Sequence, residues 1–256
     1  MYPPAIKHAL KHTLTNAHRR NRHSFGANPY LIVTPGGLGN IMIDCPRFAD
    51  GIHGAVASLS PHGVRYMVMT HTDDVAGHVE WSEGLTRSNA AVGAAAPERV
   101  IHAEEVRTGW NRADARTAEM EVHLGAAGPP RGGWAESSTG PWILPLGGDV
   151  SEFRCELILT PGHSRGSLCI NMNNEALFTG DTLCVTNAFK KLGWTNKYTQ
   201  DYPLQIASIR DIISRTPHDA ILPGHGRPFF HRSQATRVND IVEAARGMAN
   251  GEFDVV

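Results

Sequence analysis

Residues 64–78 have the sequence VRYMVMTHTDDVAGH, in which a run of β-prone apolar residues ends directly before a cluster of His and Asp. The run from Val64 to Met69 predicts a strand. The polar cluster from Thr70 to His78 then lies in the loop that leaves this strand. Loops at strand ends are where imidazoles and carboxylates can converge on one cation. The stretch therefore predicts a strand that presents metal ligands at its end.

The same arrangement, an apolar run followed by a His or Asp, recurs three times further along the chain. The three segments are Thr160-Pro161-Gly162-His163 after Leu157 to Leu159, Gly180-Asp181 after Ala176 to Phe178, and Gly224-His225-Gly226 after Ala220 to Leu222. One such segment alone is a weak signal, because a His in a Pro-Gly-His turn is usually a surface or hydrogen-bonded residue. The order and spacing of all four together predict a scaffold for a metal site.

The composition is that of a globular protein without a strong charge. The chain has 256 residues, of which 41% are hydrophobic, enough for one large domain or two small ones. The formal net charge is −1, so no net charge attracts the chain to nucleic acid or to an anionic membrane. No apolar stretch approaches the roughly 20 residues that a spanning helix needs. We therefore expect no transmembrane segment and no nucleic-acid partner.

The four cysteines are widely spaced and form no CxxC pair. They are Cys45, Cys155, Cys169 and Cys184, each in or beside an apolar strand. This pattern predicts buried reduced thiols rather than disulfides or a zinc knuckle. The N-terminus has no apolar signal core. We therefore expect an intracellular, reducing compartment, either the cytoplasm or an organelle if a transit peptide was removed.

Residues 1–24 are predicted to be an appendage to the main fold. Ile6, Leu10 and Leu14 recur every four residues among basic side chains, which predicts an amphipathic basic helix. We expect it to dock on a protein surface, with binding to a membrane surface or a partner as the alternative. Residues 25–256 are then one domain.

Strands and helices alternate irregularly from Asn28 onward, which indicates a mixed α and β fold. The predicted strands are Tyr30–Thr34 and Ile41–Asp44, joined as a hairpin through Pro35-Gly36-Gly37, then Val64–Met69, Arg99–His102, Ala118–Leu124 and a β-rich set from Trp142 to Leu183. The predicted helices are Gly51–Leu59, Gly77–Leu85, Tyr202–Ser214 with a stripe of isoleucines, and Gln234–Met248. Residues 109–140, rich in Gly, Ala and Pro, are predicted to be a long surface excursion.

The ordered motifs resemble the metallo-β-lactamase superfamily of metal-dependent hydrolases. The pattern of that family is His-x-His-x-Asp-His, a Pro-Gly-His turn, a Gly-Asp after a strand and a late Gly-His, and residues 28–225 can be laid along it. The resemblance implies an α+β fold, a four-layer αβ/βα sandwich. It also implies that His71, His163, Asp181 and His225 are metal ligands, with Asp181 bridging two ions.

The first motif departs from the family pattern, because the second His is absent. An ungapped alignment puts Asp73 in the place of that His. An alignment with one residue deleted instead keeps Asp74 as the metal carboxylate, and we prefer it. If a helix begins near Asp74, His78 lies on the same face four residues later and replaces the missing imidazole at Val75. The segment also resembles a subset of the superfamily with Thr-His-x-Asp-Asp-Val-Ala-x-His.

The predicted metal ligands are therefore His71, Asp74, His78, His163, Asp181 and His225. Asp74 is also the predicted catalytic residue, which positions the nucleophile. The alternatives are that Asp74 caps the next helix and that His78 is a packed core histidine. We expect one or two divalent ions, Zn²⁺ first and Fe or Mn as alternatives, because imidazole and carboxylate suit all three.

The substrate is expected to be a small molecule held by residues near these ligands. A basic and aromatic lip after Asp181 offers Lys190 and Trp194, and Arg165 follows His163. The alternative for the lip is a solvated loop with a buried Trp. A homo-oligomer is compatible with the sequence.

The resemblance implies a metal-dependent hydrolase in which activated water attacks an ester, thioester, amide or phosphoester. The first alternative is a non-catalytic binding protein with a degenerate metal site, because the second His is missing. The second alternative is an iron-dependent oxidoreductase of the same fold.

Overall fold

The computed structural model describes residues 27–75, 77–108, 115–125, 140–146, 153–186 and 191–253. The predicted N-terminal helix within residues 1–24 lies outside these ranges, and so does Lys190. The division into an appendage and one domain stays a prediction.

The first half of the chain forms a five-stranded sheet in sequence order. Its strands are β1 (Tyr30–Ile32), β2 (Asn40–Ile43), β3 (Val64–Val68), β4 (Glu98–His102) and β5 (Val122–Leu124). β1 pairs antiparallel with β2, which confirms the predicted hairpin, and the remaining pairs are parallel. The carboxyl ends of β2, β3 and β4 therefore meet at one edge of the sheet.

The second half forms a six-stranded mixed sheet in the order β13-β12-β9-β8-β7-β6. Its strands are β6 (Trp142–Ile143), β7 (Cys155–Leu159), β8 (Leu168–Met172), β9 (Ala176–Gly180), β12 (Ala220–Pro223) and β13 (Phe229–Phe230). β9 and β12 run parallel, so their carboxyl ends lie side by side. A separate short ribbon pairs β10 (Cys184–Val185) with β11 (Leu192–Gly193).

Five α-helices lie within the described residues. They are α1 (Asp50–Ser58), α2 (His78–Ala91), α3 (Ala103–Thr108), α4 (Tyr202–Asp211) and α5 (Gln234–Ala249). The Asp201 side chain caps α4 by accepting from the Leu204 N–H, and Ser233 with Thr236 forms a capping box on α5. None of the described helices is both long and apolar enough to cross a membrane.

Three apolar clusters show how the layers stack. Successive residues of each strand point to opposite faces, so Tyr30 and Ile32 enter a central cluster that both sheets share, and Leu31 enters an outer one. The outer cluster of the first sheet includes Val56 of α1 and Trp81 of α2. The outer cluster of the second sheet includes residues of α4 and α5. The fold is therefore α+β with four layers, as predicted. The two sheets pack face to face in the middle, and helices cover the outer face of each sheet.

Two element predictions need correction. The predicted strand Ala118–Leu124 is confirmed over Val122–Leu124, but it is buried beside β4 as β5, so this part of residues 109–140 is not a surface excursion. The predicted helix Gly77–Leu85 begins at His78 and extends to Ala91. The isoleucine stripe is confirmed, since Ile209 and Ile213 are buried in the outer cluster of the second sheet. All four cysteines are free and buried, as predicted.

Candidate metal centre

The four predicted motifs converge because each follows a strand whose end faces the same side of the sandwich. His71 follows β3, His163 follows β7, Asp181 follows β9 and His225 follows β12. Together with Asp73 these side chains form one group, which we call the His/Asp cluster. The first three of them and Asp73 are at most a tenth exposed, whereas the His225 side chain is 23% exposed. The cluster thus has a buried end and one end that opens toward solvent.

The buried end is formed by two imidazoles and one carboxylate. His71, Asp73 and His163 each offer one ligand atom, and these atoms lie within 4.8 Å of one another. Asp73 Oδ2 is 3.5 Å from His163 Nε2 and 4.0 Å from His71 Nε2. Asp73 belongs to a 3-10 turn, Thr72–Asp74, that begins directly after His71. The turn therefore brings the Asp73 carboxylate to the place where two imidazoles already meet.

Asp181 lies between the buried end and the open end. Its Oδ2 atom is 3.7 Å from His71 Nε2, 3.8 Å from His163 Nε2 and 3.3 Å from His225 Nε2. One carboxylate oxygen thus faces all three imidazoles. This is the position that a bridging or shared ligand requires.

These spacings fit a transition-metal ion. Zinc bonds to His nitrogen and carboxylate oxygen are about 2.0–2.2 Å long, so two ligands of one ion are about 3 to 4 Å apart. The distances from the Asp73 and Asp181 carboxylate oxygens to the neighbouring imidazole nitrogens are between 3.3 and 4.0 Å. They are too long for strong hydrogen bonds. The residues present therefore fit a bound divalent ion.

The electrostatics of both carboxylates favour the ionised form. Burial raises the pKa of Asp181, but the neighbouring His225, His71 and His163 lower it more, so the net pKa is well below its ordinary value. Burial likewise raises the pKa of Asp73, and His163 and His71 outweigh it, which leaves that pKa lowered. A metal ligand must be deprotonated, and both carboxylates are so at neutral pH.

A hydrogen-bond relay from Asp44 orients His71. Asp44 Oδ1 accepts from the Thr70 N–H at 2.7 Å, and the Thr70 hydroxyl donates to Asp44 Oδ2 at 2.9 Å. The Thr70 Oγ1 atom is also 2.9 Å from His71 Nδ1. A hydroxyl that donates to the carboxylate accepts from the imidazole, so the proton of His71 is held on Nδ1. The Nε2 lone pair then faces Asp181 and Asp73.

The loop of Asp181 is held from two sides. The Gln205 side chain, fully buried on α4, donates to the carbonyl of Asp181 at 3.0 Å and to that of Thr182 at 2.8 Å. Gly224, just before His225, packs so tightly that an added Cβ would lie 2.6 Å from Asp181 Oδ1. The close approach of these two loops therefore requires glycine at this position.

Trp194 forms a wall beside the open end of the cluster. Its ring stacks on His225 with centroids 5.4 Å apart and planes 20° apart, and it meets His163 edge-on at 6.0 Å. Trp194, which is a substrate-binding candidate from the sequence, therefore lies next to the cluster. Arg165 is exposed on the loop after His163, and Lys190 lies outside the described residues.

The altered first motif is where geometry and sequence preference differ most. The sequence alignment favours Asp74 over Asp73 as the metal carboxylate, but it is Asp73 that lies in the His/Asp cluster. Asp74 ends the same 3-10 turn, and its side chain lies outside the described part of the structure. His78 is fully buried, and its Nδ1 atom is 3.3 Å from Arg99 Nη1 on β4. The cluster of His71, Asp73 and His163 does not include His78. The ligand roles of Asp74 and His78 stay predictions.

The comparisons with known proteins agree on the fold. No protein-family profile matches the sequence, and no curated protein does. Among solved structures, the chain is similar to the BLEG-1 B3 metallo-β-lactamase, with 17% identity, a TM-score of 0.57, and coverage of 87% of this chain and 94% of that one. ETHE1 from Myxococcus xanthus is 16% identical with a TM-score of 0.52, covering 90% of this chain and 88% of that chain.

A third similar structure is TTHA1623 in a di-iron-bound form. It is 17% identical with a TM-score of 0.51, and the match covers 82% of this chain and 92% of that one. At these identities the matches establish the fold. They confirm that the chain has the metallo-β-lactamase fold, which the ordered motifs imply.

Proposed function

We propose that this chain with the metallo-β-lactamase fold is a metal-dependent hydrolase. The observation that carries the proposal is the convergence of three imidazoles and two carboxylates from five separate positions, with Asp181 Oδ2 3.3 Å from His225 Nε2 and 3.7 Å from His71 Nε2. Buried charges of this kind are costly unless they are paired or bind a metal. The similarity to TTHA1623, described in a di-iron-bound form, supports a metal in the same fold.

We propose that Asp73 takes the place of the missing second His as a ligand. The first ion would then be held by His71, Asp73, His163 and the shared Asp181. A second ion would be held by Asp181 and His225, with Asp74 as the further ligand predicted from sequence. The three protein ligands of the second ion leave a position for water or substrate. One or two ions are therefore compatible with this set.

The donor set bears on which metal is bound. Two imidazoles and one carboxylate, here His71, His163 and Asp73, are typical of non-haem Fe(II) sites, and the shared Asp181 adds a second carboxylate, a ligand that also suits Mn. Zn²⁺ accepts the same ligands. We propose that replacing imidazole by the Asp73 carboxylate shifts the preference of the first pocket from Zn toward Fe(II) or Mn.

When bound, such an ion lowers the pKa of a coordinated water and polarises the bond under attack. The chain's own residues do the rest. Asp44 and Thr70 hold His71 in the tautomer that ligates, and Asp181 keeps both ends of the cluster together. We propose that Asp74 positions the attacking water, and that Trp194 covers one side of a small-molecule substrate. Arg165 and Lys190 are proposed to meet an anionic part of it.

The experiment is elemental analysis of protein purified without added metal or chelator, followed by assays on ester, thioester, amide and phosphoester panels. We expect one or two Zn, Fe or Mn per chain and turnover of one bond class that Asp181→Asn abolishes. Asp211→Asn, on the exposed end of α4, is the matched control. A metal-loaded protein that is inert on every panel would leave a non-catalytic binding protein as the better description.

A second candidate function rests on the buried end of the cluster, where His71, His163 and Asp73 offer two imidazoles and one carboxylate. This set is shared with mononuclear iron enzymes, so an iron-dependent oxidoreductase is the alternative. Oxygen uptake by the Fe(II)-loaded protein with small thiols separates the two functions. If the Fe(II)-loaded protein takes up oxygen and the Zn-loaded protein does not, the oxidoreductase is favoured. If the Zn-loaded protein still hydrolyses its substrate, the hydrolase is favoured.

A further inference from the structure

A buried glutamate that is not part of the His/Asp cluster touches two of the loops that build it. Glu105 lies on α3, the short helix that follows β4, and is 1% exposed. Its Oε2 atom accepts from the Thr72 N–H at 2.9 Å, and its Oε1 atom accepts from the Gly166 N–H at 2.7 Å. One carboxylate thus bonds the main chain of two loops that are far apart in sequence.

Both of these amides sit beside proposed ligands. Thr72 lies between His71 and Asp73, and Gly166 is three residues after His163. The same two loops are joined by one main-chain bond, from the Leu168 N–H to the Thr70 carbonyl at 2.9 Å. The Glu105 carboxylate adds two further bonds on the side of the ligands. The relative position of Asp73 and His163 therefore depends on it.

The chemistry of the contact requires a carboxylate. Both partners are N–H donors, so the side chain between them must accept on both oxygens, and only an ionised Asp or Glu does so. A glutamine of the same shape would turn its NH₂ group toward one of the amides, and a buried donor would face a donor. Burial of a charged group also costs free energy, which makes a merely space-filling role for Glu105 a poor explanation.

The loop after His163 is shaped to receive this carboxylate. A Cβ added at Gly166 would lie 2.8 Å from Glu105 Cγ and 2.9 Å from both Glu105 Oε1 and His102 Nδ1. Contacts this short do not occur for real side chains. Glycine at position 166 is therefore what allows the Glu105 carboxylate to reach the main chain.

We propose that Glu105 is a positioning residue of the metal site: by bonding the Thr72 and Gly166 amides it holds Asp73 and His163 at the separation that one ion requires. The inference rests on the proposed function, since it concerns the same ion. Glu105 acts through the ligands and does not itself bind the metal. Loss of a hydrogen-bond partner that orients metal ligands typically weakens metal binding by about 10- to 100-fold.

The test is a titration of chelator-treated protein with Co²⁺ and with Mn²⁺, for wild type, Glu105→Gln and the neighbouring control Glu104→Gln. We expect Glu105→Gln to weaken binding of both ions by about 10- to 100-fold and to alter the visible Co²⁺ spectrum. Glu104→Gln is expected to stay within about twofold of wild type. Thermal melts of the metal-free proteins measure the purely structural effect of each substitution.

A second variant reaches the same contact from the other side. Gly166→Ala keeps the carboxylate but pushes it away, so it is expected to weaken metal binding as well. The double variant with Glu105→Gln and Gly166→Ala is expected to bind metal no more weakly than the weaker-binding single variant, because both substitutions break the same contact. Glu105→Asp, which keeps the charge on a shorter arm, is expected to recover part of the affinity.

The outcomes separate the two proposals. A wild-type protein that takes up neither ion overturns the proposed function and the inference with it. If the wild-type protein binds both ions, and Glu105→Gln and Gly166→Ala bind them equally well with the same Co²⁺ spectrum, the inference alone is overturned. A lower melting temperature of the metal-free variants with unchanged affinity has that same meaning, since it assigns Glu105 to folding only.

Discussion

Two groups of buried or partly buried histidines in the described part of this chain have opposite surroundings. In the His/Asp cluster, every imidazole lies within 4 Å of a carboxylate oxygen of Asp73 or Asp181. The other group, which we call the His218–His231 pair, has ring centroids 5.1 Å apart and lies before β12 and after β13. There His218 Nδ1 donates to the Thr216 carbonyl at 2.8 Å. The Arg237 guanidinium also donates to that carbonyl, at 2.8 Å.

The difference shows which buried imidazoles are arranged for a cation. Burial lowers the pKa of His218 to about 3, and His231 and Arg237 add to this effect. A site flanked by a guanidinium repels a metal ion as it repels a proton. In the cluster the carboxylates do the reverse and attract positive charge. We therefore expect the pair to serve folding, and the predictions below test this contrast from the largest effect to the smallest.

The largest expected effect is the loss of metal binding in His163→Ala. Removal of a ligand should cost more than removal of a partner that only orients one, so we expect affinity to fall by more than about 100-fold. Co²⁺ titration of the chelator-treated protein measures it. His218→Leu is the matched variant from the other group and should bind as wild type does. Equal losses in the two variants would remove the distinction between the groups.

The second prediction concerns acid stability and the His218–His231 pair. With a folded pKa of about 3 against an ordinary value of 6.5, His218 is neutral in the folded state over the whole range between the two. Only the unfolded chain takes up a proton as the pH falls below about 6.5, so stability is complete above that pH and is lost progressively down to about 3. Between pH 7 and 4.5 the loss from this group is about 2.5 kcal/mol.

Urea unfolding of the metal-free protein at both pH values tests this prediction. Wild type should lose about 2.5 kcal/mol more than His218→Leu between pH 7 and 4.5. His62→Leu, which removes an imidazole at an exposed position, is the control. Parallel curves for wild type and His218→Leu would show that this imidazole is protonated in the folded state, against the contrast drawn above.

Much of the fold and most of the cluster follow from sequence, for a physical reason. Apolar runs of β-prone residues have a period and a length that identify strands, and motifs at their ends converge because strand ends share an edge. His71, His163, Asp181 and His225 could be found in this way. The strand β5 shows a limit of this signal. The predicted strand Ala118–Leu124 is only three residues long in the structure, Val122–Leu124, and nothing in this segment of the sequence indicates that it pairs with β4.

The choice between Asp73 and Asp74 could not be made from sequence. Side chains in a 3-10 turn rotate by about 120° per residue, so neighbouring aspartates face different directions and the phase is set by tertiary contacts. The helical spacing from Asp74 to His78 also does not hold. Gly77 has a φ of +89°, so α2 begins only at His78. Glu105 gave no signal, because a glutamate on a short helix resembles a solvated one.

A third prediction sharpens what the carboxylate in the cluster does. Asp73→His restores the imidazole of the family pattern, and imidazole favours Zn over Mn more than carboxylate does. We expect the ratio of Zn to Mn affinity to rise by roughly tenfold, measured by competition between the two ions. Asp73→Asn is the control of equal size and should weaken both ions without a large change in the ratio. An unchanged ratio in Asp73→His would place Asp73 outside the coordination of the metal.

The smallest expected effect is that of Asp240→Asn in the His218–His231 pair. Asp240 Oδ2 accepts from His231 Nδ1 at 2.7 Å, and its side chain is 34% exposed. The Asn amide oxygen can still accept this hydrogen bond but carries no charge, so the weaker bond should lower the free energy of unfolding by about 1 kcal/mol, measured in urea at pH 7, with metal affinity unchanged. The pair thus has a carboxylate hydrogen-bonded to an imidazole, and we expect it to bind no metal because the Arg237 guanidinium opposes a cation there. If Asp240→Asn lowered metal affinity instead, the presence of a carboxylate alone would decide where this chain binds a cation, and the role given to Arg237 would be wrong.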